Sequence, residues 1–262
     1  MNLKILVRNN ASPKIYDKLS HIYRGAKSKI FPIHRVARSS NLTSLATIHG
    51  TDKWGTHWYA VHYEKHFKHL RKKKLKILEI GVGEYGDPNA GGASLRMWKS
   101  YFPKSQIYSI DIYDKSSIEE DRIKIFRGSQ GDPDFLRDVV KQMGGLDIVI
   151  DDGSHRCEDV ITSLQTLFPL LAEGGIYAIE DTQTSYWPEF GGDSYDLANS
   201  TTTMNFVKTL TDGLNYQEIA RKNYQPSYLD RNIASLHFYH NLVFIYKGKN
   251  EEGSNEVHKH IY

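Results

Sequence analysis

One cysteine, Cys157, stands in a chain of 262 residues. A single thiol rules out an internal disulfide framework and a cysteine-rich zinc site. Its place two residues after His155 suits a small core residue of the following helix better than a nucleophile. No apolar run approaches the length needed to span a bilayer. The opening Met1 to Val7 is too short for a signal peptide and lacks a cleavage pattern, so a cytoplasmic protein without a transmembrane segment is expected. Internal repeats are absent. No recognised nucleic-acid module accompanies the basic residues, so no nucleic-acid partner is expected. What the chain does have is apolar content of 39%, enough at this length to bury about 70% of the unfolded surface.

The formal net charge of +3 hides a strong asymmetry. Residues 1 to 76 hold 17 Lys or Arg against three acids, Asp17, Asp52 and Glu64, a local balance of +14 that leaves −11 for the rest. Such a segment could meet an anionic partner. The Arg71-Lys72-Lys73-Lys74 run, lying just before a strand, is more simply a solvated helix end.

Hydrophobic patterning alternates strand with helix. Residues 14–30 and 40–50 read as helices, the first broken at Phe31-Pro32. Strand Lys74 to Ile80 is followed by helix Ser94 to Tyr101 and by strands Gln106 to Asp111 and Ile123 to Arg127. Helix Asp134 to Met143, strand Leu146 to Ile150, helix Cys157 to Leu171 and strand Gly175 to Ile179 come next. This order implies an α/β protein with a parallel sheet. Ile233 to Tyr239 and Leu242 to Lys247, separated only by His240-Asn241, read as an antiparallel hairpin.

The chemistry gathers at strand ends. Ile150-Asp151-Asp152-Gly153-Ser154-His155 closes one strand and Glu180-Asp181 the next, so both acidic clusters should emerge at the carboxyl edge of one sheet, where α/β enzymes bind ligands. Asp152, Glu180 and Asp181 offer hard oxygen donors suited to Mg²⁺ or Mn²⁺, and His155 could act as a base beside them. Asp-Gly-Ser before a helix is also ordinary N-cap chemistry. Gly81, Gly83 and Gly86 after the first strand spell a dinucleotide fingerprint, a weak signal alone. The acidic Glu79 within that strand end, and the long stretch between Gly83 and the helix, fit poorly with pyrophosphate, which wants the helix N-terminus against it. An acidic strand end better tolerates a ligand carrying an ammonium group. Asp111, closing the next strand, is placed to accept from ribose hydroxyls and does not discriminate between such cofactors.

Five ordered motifs carry a resemblance. Thr51-Asp52-Lys53-Trp54-Gly55 with His57 and Tyr59, Leu78-Glu79-Ile80-Gly81-Val82-Gly83, Gly91 to Trp98, Ile150 to His155, and Ile179 to Trp187 together resemble the macrolide sugar O-methyltransferases of the mycinamicin and macrocin type, over about residues 48–192. The resemblance implies a Rossmann-like class I methyltransferase sheet, parallel with a C-terminal antiparallel hairpin, behind an N-terminal helical extension. Charge and composition divide the chain further into a basic helical extension or lid over 1–70, the S-adenosylmethionine-dependent domain over 71–248 and a polar tail over 249–262 that is expected to fray. The resemblance further implies S-adenosylmethionine among Lys53, Tyr59, Glu79, Gly81, Gly83, Ser94, Asp111, Gln130, Asp132 and Asp151. Mg²⁺ or Mn²⁺ falls to Asp152, Glu180 and Asp181, with His155 as the catalytic base. The implied partner is a sugar-containing small molecule or glycan precursor, and self-association stays open.

A sugar hydroxyl is a poor nucleophile at neutral pH, so the reaction such residues serve is deprotonation and aim towards an already activated methyl group. Lys53, His57 and Tyr59 could close over a cofactor, and Tyr186, Trp187 and Phe190 could stack on a pyranose, although either set could simply pack. Three alternatives stay open: a nicotinamide-dependent oxidoreductase, a non-catalytic binding module, and a methyltransferase acting on a phenol or other non-sugar polyhydroxyl.

Overall fold

The computed structural model describes residues 41–254; the helix expected over 14–30 lies outside them. Seven strands form one sheet: β1 Lys76–Ile80, β2 Gln106–Asp111, β3 Ile123–Arg127, β4 Ile148–Asp151, β5 Ile176–Glu180, β6 Ile233–Tyr239 and β7 Leu242–Lys247. Their order is β3-β2-β1-β4-β5-β7-β6. The first five run parallel, and β7 pairs antiparallel with both β5 and β6. β1 is buried at four of its five residues, three of them apolar and the fourth Glu79, as a strand covered on both faces must be. Asn241 takes φ 59° in the two-residue turn joining β6 to β7, the left-handed conformation that such a tight hairpin demands.

Helices cover both faces. On one lie α1 Leu42–His49, α2 Ala60–Phe67 and α3 Ala93–Tyr101, whose Leu45, Tyr63, Phe67 and Trp98 share a core with Ile77, Ile107, Ile148 and Phe244. On the other, α4 Pro133–Met143, α5 Cys157–Leu167 and α6 Thr203–Gly213 pack Leu136, Val139, Leu164 and Val207 against Leu78, Val149, Tyr177 and Val243. Helices α1 and α2, expected to belong to an extension, thus share one core with the sheet. The start of α4 is written in the chain: Asp132 caps it through the backbone N–H groups of Asp134 and Phe135, and Pro133 occupies the first turn, where no N–H is needed. Helix α5 ends at Leu167, short of the expected Leu171, because Pro169 cannot supply the next helical N–H and the chain tightens into a 3₁₀ turn over Phe168–Leu170.

The order in which the strands are added reverses between the parallel strands β1 and β4, so the crevice opens beyond their carboxyl ends. Gly81 permits this closeness. It sits at φ 97°, and a side chain there would run into the carbonyl oxygen of Asp152. Asn250, at the start of the tail expected to fray, is held by its side-chain amide, which donates to the carbonyls of Gly213, Leu214 and Asp230. Among the described residues no helix is long and apolar enough to cross a membrane. Cys157 is buried, as a small core residue should be.

Candidate active site at the sheet's switch point

Four carboxylates converge beyond β1, β4 and β5. Glu79 is wholly buried and Glu180 almost so, whereas Asp152 and Asp181 keep side-chain exposures of 25% and 16% and so face the crevice. The buried members meet a cation. Lys53, itself 1% exposed, sets its Nζ 2.6 Å from Glu180 Oε1, 2.7 Å from Asp152 Oδ2 and 3.3 Å from Glu79 Oε1. Burial alone would strip the proton from Lys53, but Asp152, Glu180 and Glu79 reverse this and hold its pKa well above the ordinary value. Burial also raises the carboxyls of Glu180 and Asp152, against the pull of Lys53, and lifts Glu79 to about 7. Removing one member of such a buried ion pair costs about 3–5 kcal/mol.

Two tyrosines complete the inner shell. Tyr59 donates to Asp181 Oδ1 and Tyr63 to Glu180 Oε1, both at 2.6 Å. They lie four residues apart at the start of α2, one turn of one helix, and so address two consecutive carboxylates. Sequence reasoning passed over Tyr63, although its spacing from Tyr59 is the signal that finds it. Lys53 and Tyr59, expected around the cofactor, place their polar atoms on the carboxylates expected to hold metal.

The outer side centres on His155. Its Nε2 lies 4.0 Å from Asp152 Oδ1 and 3.8 Å from Asp181 Oδ2. His57 approaches Asp181 from the other side, Nδ1 to Oδ1 at 3.7 Å, with its ring stacked on Tyr59. Burial would raise Asp181, but the Tyr59 hydrogen bond and the two histidines hold it below the usual carboxylate value. His155 and Asp181 both adopt left-handed backbone, φ 57° and 53°. Non-glycine residues pay for this conformation, and such strain gathers where side-chain aim matters. The bare N-cap reading of Asp152-Gly153-Ser154 does not fit: Arg156 occupies the cap of α5 and makes no side-chain cap bond.

The remaining candidates divide by what they touch. Ser94 donates to Glu79 Oε2 at 2.9 Å, tying the start of α3 to the acidic strand end. Asp111 receives the backbone N–H of Val82 on Oδ2 and that of Tyr113 on Oδ1, which fixes the Gly-rich loop against β2. Gly83 takes φ 84° with open space where a side chain would stand. Asp151 turns away from Asp152 and is buried beneath the sheet, accepting from Gln130, Ser163 and Tyr177. Burial lifts its carboxyl to about 6 even against those donors. Gln130 in turn accepts from the Ser154 N–H at 2.7 Å, so Asp151 and Gln130 together brace the loop carrying Asp152 and His155. Asp132 is exposed and spent on the cap of α4. Tyr186 and Trp187 are exposed beyond Asp181, with Trp187 and Phe190 ring centroids 5.9 Å apart. Trp58 is exposed as well, edge-on to Trp54.

Among the described residues two groups bring their ligand atoms close enough to share one ion, Asp152 with His155 and Asp181, and Asp152 with Glu79 and Glu180, so the three acids expected to hold one metal do not gather as a single group. Their oxygen-only donors are the kind that suit a hard divalent cation, and Asp152 Oδ1 lies beside His155 while Oδ2 binds Lys53.

No family model matches the chain. Among curated proteins it is 47% identical over 219 residues to the mycinamicin VI 2''-O-methyltransferase of Micromonospora griseorubida, covering 83% of this chain and 55% of that protein. It is also 47% identical over 215 residues to the demethylmacrocin O-methyltransferase of Streptomyces fradiae, covering 81% and 54%. The crystal structure of the MycE methyltransferase of the mycinamycin pathway, in complex with Mg and SAH, superposes with a TM-score of 0.81 at 46% identity. That match covers 84% of this chain and 58% of MycE. The chain is a homologue of the macrolide sugar O-methyltransferases. It spans about half the length of the curated relatives it matches. The seven-stranded sheet with its antiparallel C-terminal pair is that of the Rossmann-like methyltransferases.

Proposed function

We propose that this protein is a metal-dependent O-methyltransferase that moves a methyl group from S-adenosylmethionine to a hydroxyl of a sugar carried on a small molecule or glycan precursor. The observation that carries the reading is the position of His155 between Asp152 and Asp181 at the mouth of the crevice, with strained backbone at two of the three. A divalent cation held by Asp152, Glu180 and Asp181 would supply Lewis-acid lowering of the hydroxyl pKa, and S-adenosylmethionine the activated methyl group. His155 takes the hydroxyl proton on Nε2, with Asp152 and Asp181 beside it to stabilise the imidazolium that forms. The Gly81–Gly83 backbone, Glu79 with Ser94, and Asp111 border the cofactor. Asp151 and Gln130 position the His155 loop without meeting ligand, and Asp132 serves the helix cap. Tyr186 and Trp187, exposed next to Asp181, present ring faces on which a pyranose can stack.

Methyl transfer from isotopically labelled S-adenosylmethionine to a panel of rhamnosides, olivosides and other deoxysugar glycosides, read by mass spectrometry with Mg²⁺ present, tests the reading. Label on a sugar oxygen supports it. Label found only on phenolic acceptors, or binding of NADH in place of S-adenosylhomocysteine, overturns it.

A further inference from the structure

Three carboxylates, Glu79, Asp152 and Glu180, bring one oxygen each within 4.8 Å of the others, a second cation-sized cluster alongside that of Asp152, His155 and Asp181. The two clusters share Asp152. In enzymes that hold two metal ions, a bridging carboxylate of this kind sits between ions about 4 Å apart. Here the inner position is already filled, for Lys53 Nζ contacts all three inner carboxylates.

We propose that Lys53 is a built-in second cation, a positioning residue that limits this carboxylate site to one divalent ion and turns Asp152 towards it. The inference rests on the metal-dependent reading given above. Charge supports the assignment. A second divalent ion beside Lys53 would bring two like-signed cations into contact in a buried space. The ammonium is a tethered point charge with three donors, and it has three carboxylate partners. Asp152 gives Oδ2 to Lys53, which leaves Oδ1 directed to the outer side beside His155. The lysine therefore sets both the number of ions and the direction from which the shared carboxylate meets the one admitted.

Replacing the side chain by a short neutral one leaves a space bounded by the same three carboxylates, and a second divalent ion is the natural replacement for the lost charge. The experiment counts Mn²⁺ bound per chain, by calorimetry and by electron paramagnetic resonance, for the wild type, Lys53→Ala and Lys53→Arg. The expected result is one ion for the wild type, two for Lys53→Ala with the spectral broadening of a coupled pair, and one for Lys53→Arg, which keeps the charge. Two ions in the wild type overturn the proposal even if Lys53→Ala does not fold. So does a folded Lys53→Ala that binds no more Mn²⁺ than the wild type, or a Lys53→Arg that gains an ion. A wild type that binds none contradicts the metal-dependent reading instead, and the gain of one ion in Lys53→Ala then still tests the role of Lys53 separately.

Discussion

Helix α2 separates two buried polar clusters that are satisfied in opposite ways. From Tyr63 it reaches the carboxylates at the strand ends; three residues on, His66 reaches under the C-terminal hairpin, where Nδ1 meets Tyr246 Oη at 2.7 Å and Nε2 meets Tyr239 Oη at 2.9 Å. Phe244 packs against both, its ring 5.2 Å from Tyr63 and 4.0 Å from His66. The histidine cluster is neutral and balanced: two ring nitrogens, two hydroxyls. Burial first, then the neighbouring His237 and Lys65, press its pKa down to about 4. The carboxylate cluster is charged and unbalanced, with three acids around one ammonium and Asp181 beside them, and Asp152 and Asp181 stay partly exposed to the crevice. A buried polar group that finds its partners inside the protein holds the fold. Acceptors in excess, aimed at an opening, mark the place where a ligand supplies the rest.

The sharpest way to break this contrast is Asp152→Asn, which keeps the shape and removes the charge shared by both cation positions. Turnover should fall by about 10³ or more, since Lewis-acid stabilisation amounts to several kcal/mol, at 1.36 kcal/mol for each tenfold in rate. Steady-state kinetics with saturating Mg²⁺ reads it, and turnover within tenfold of wild type would remove Asp152 from the ion site. His155→Ala should cut turnover by about 10² or more with nearly unchanged affinity for S-adenosylhomocysteine by calorimetry, and part of the loss should return at high pH as the alcohol ionises without help. Retention of wild-type turnover would return His155 to a structural part.

The smallest effect belongs to the neutral cluster. Because the folded-state pKa of His66 lies below the ordinary imidazole value of 6.5, its contribution to stability is complete above about 6.5 and is lost as pH falls towards 4. Thermal melts of the wild type should show a falling midpoint across that window, and His66→Phe should flatten the decline while leaving turnover at neutral pH within a few fold. An unchanged slope in the variant would mean that His66 is not the group taking the proton.

Much of this was legible in the chain because the signals were local. Both strands of the hairpin were read to the residue, since a two-residue gap at His240-Asn241 between alternating apolar runs admits few other structures. The parallel order followed from strand and helix alternation. The acidic ends of β4 and β5 were visible because buried apolar runs end there abruptly in charge. Helices α2 and α6 were missed: α2 mixes His, Tyr, Glu and Lys into its turns, and its apolar stripe becomes visible only once Tyr63 and Phe67 are set against Trp98 and Phe244. The same limit hid the destination of Lys53. Its partners lie 26 to 127 residues away in the chain, and local pattern carries no information on a contact made across three strands.

The account turns on whether the outward carboxylate oxygens hold a divalent ion that the chemistry needs. The most direct measurement is methyl transfer from S-adenosylmethionine to an accepted glycoside by the wild-type protein after exhaustive EDTA treatment and removal of the chelator, followed by stepwise addition of Mg²⁺. The account predicts loss of activity on chelation and its saturable return with Mg²⁺, while binding of S-adenosylhomocysteine persists throughout. Full activity in the chelated protein would contradict it.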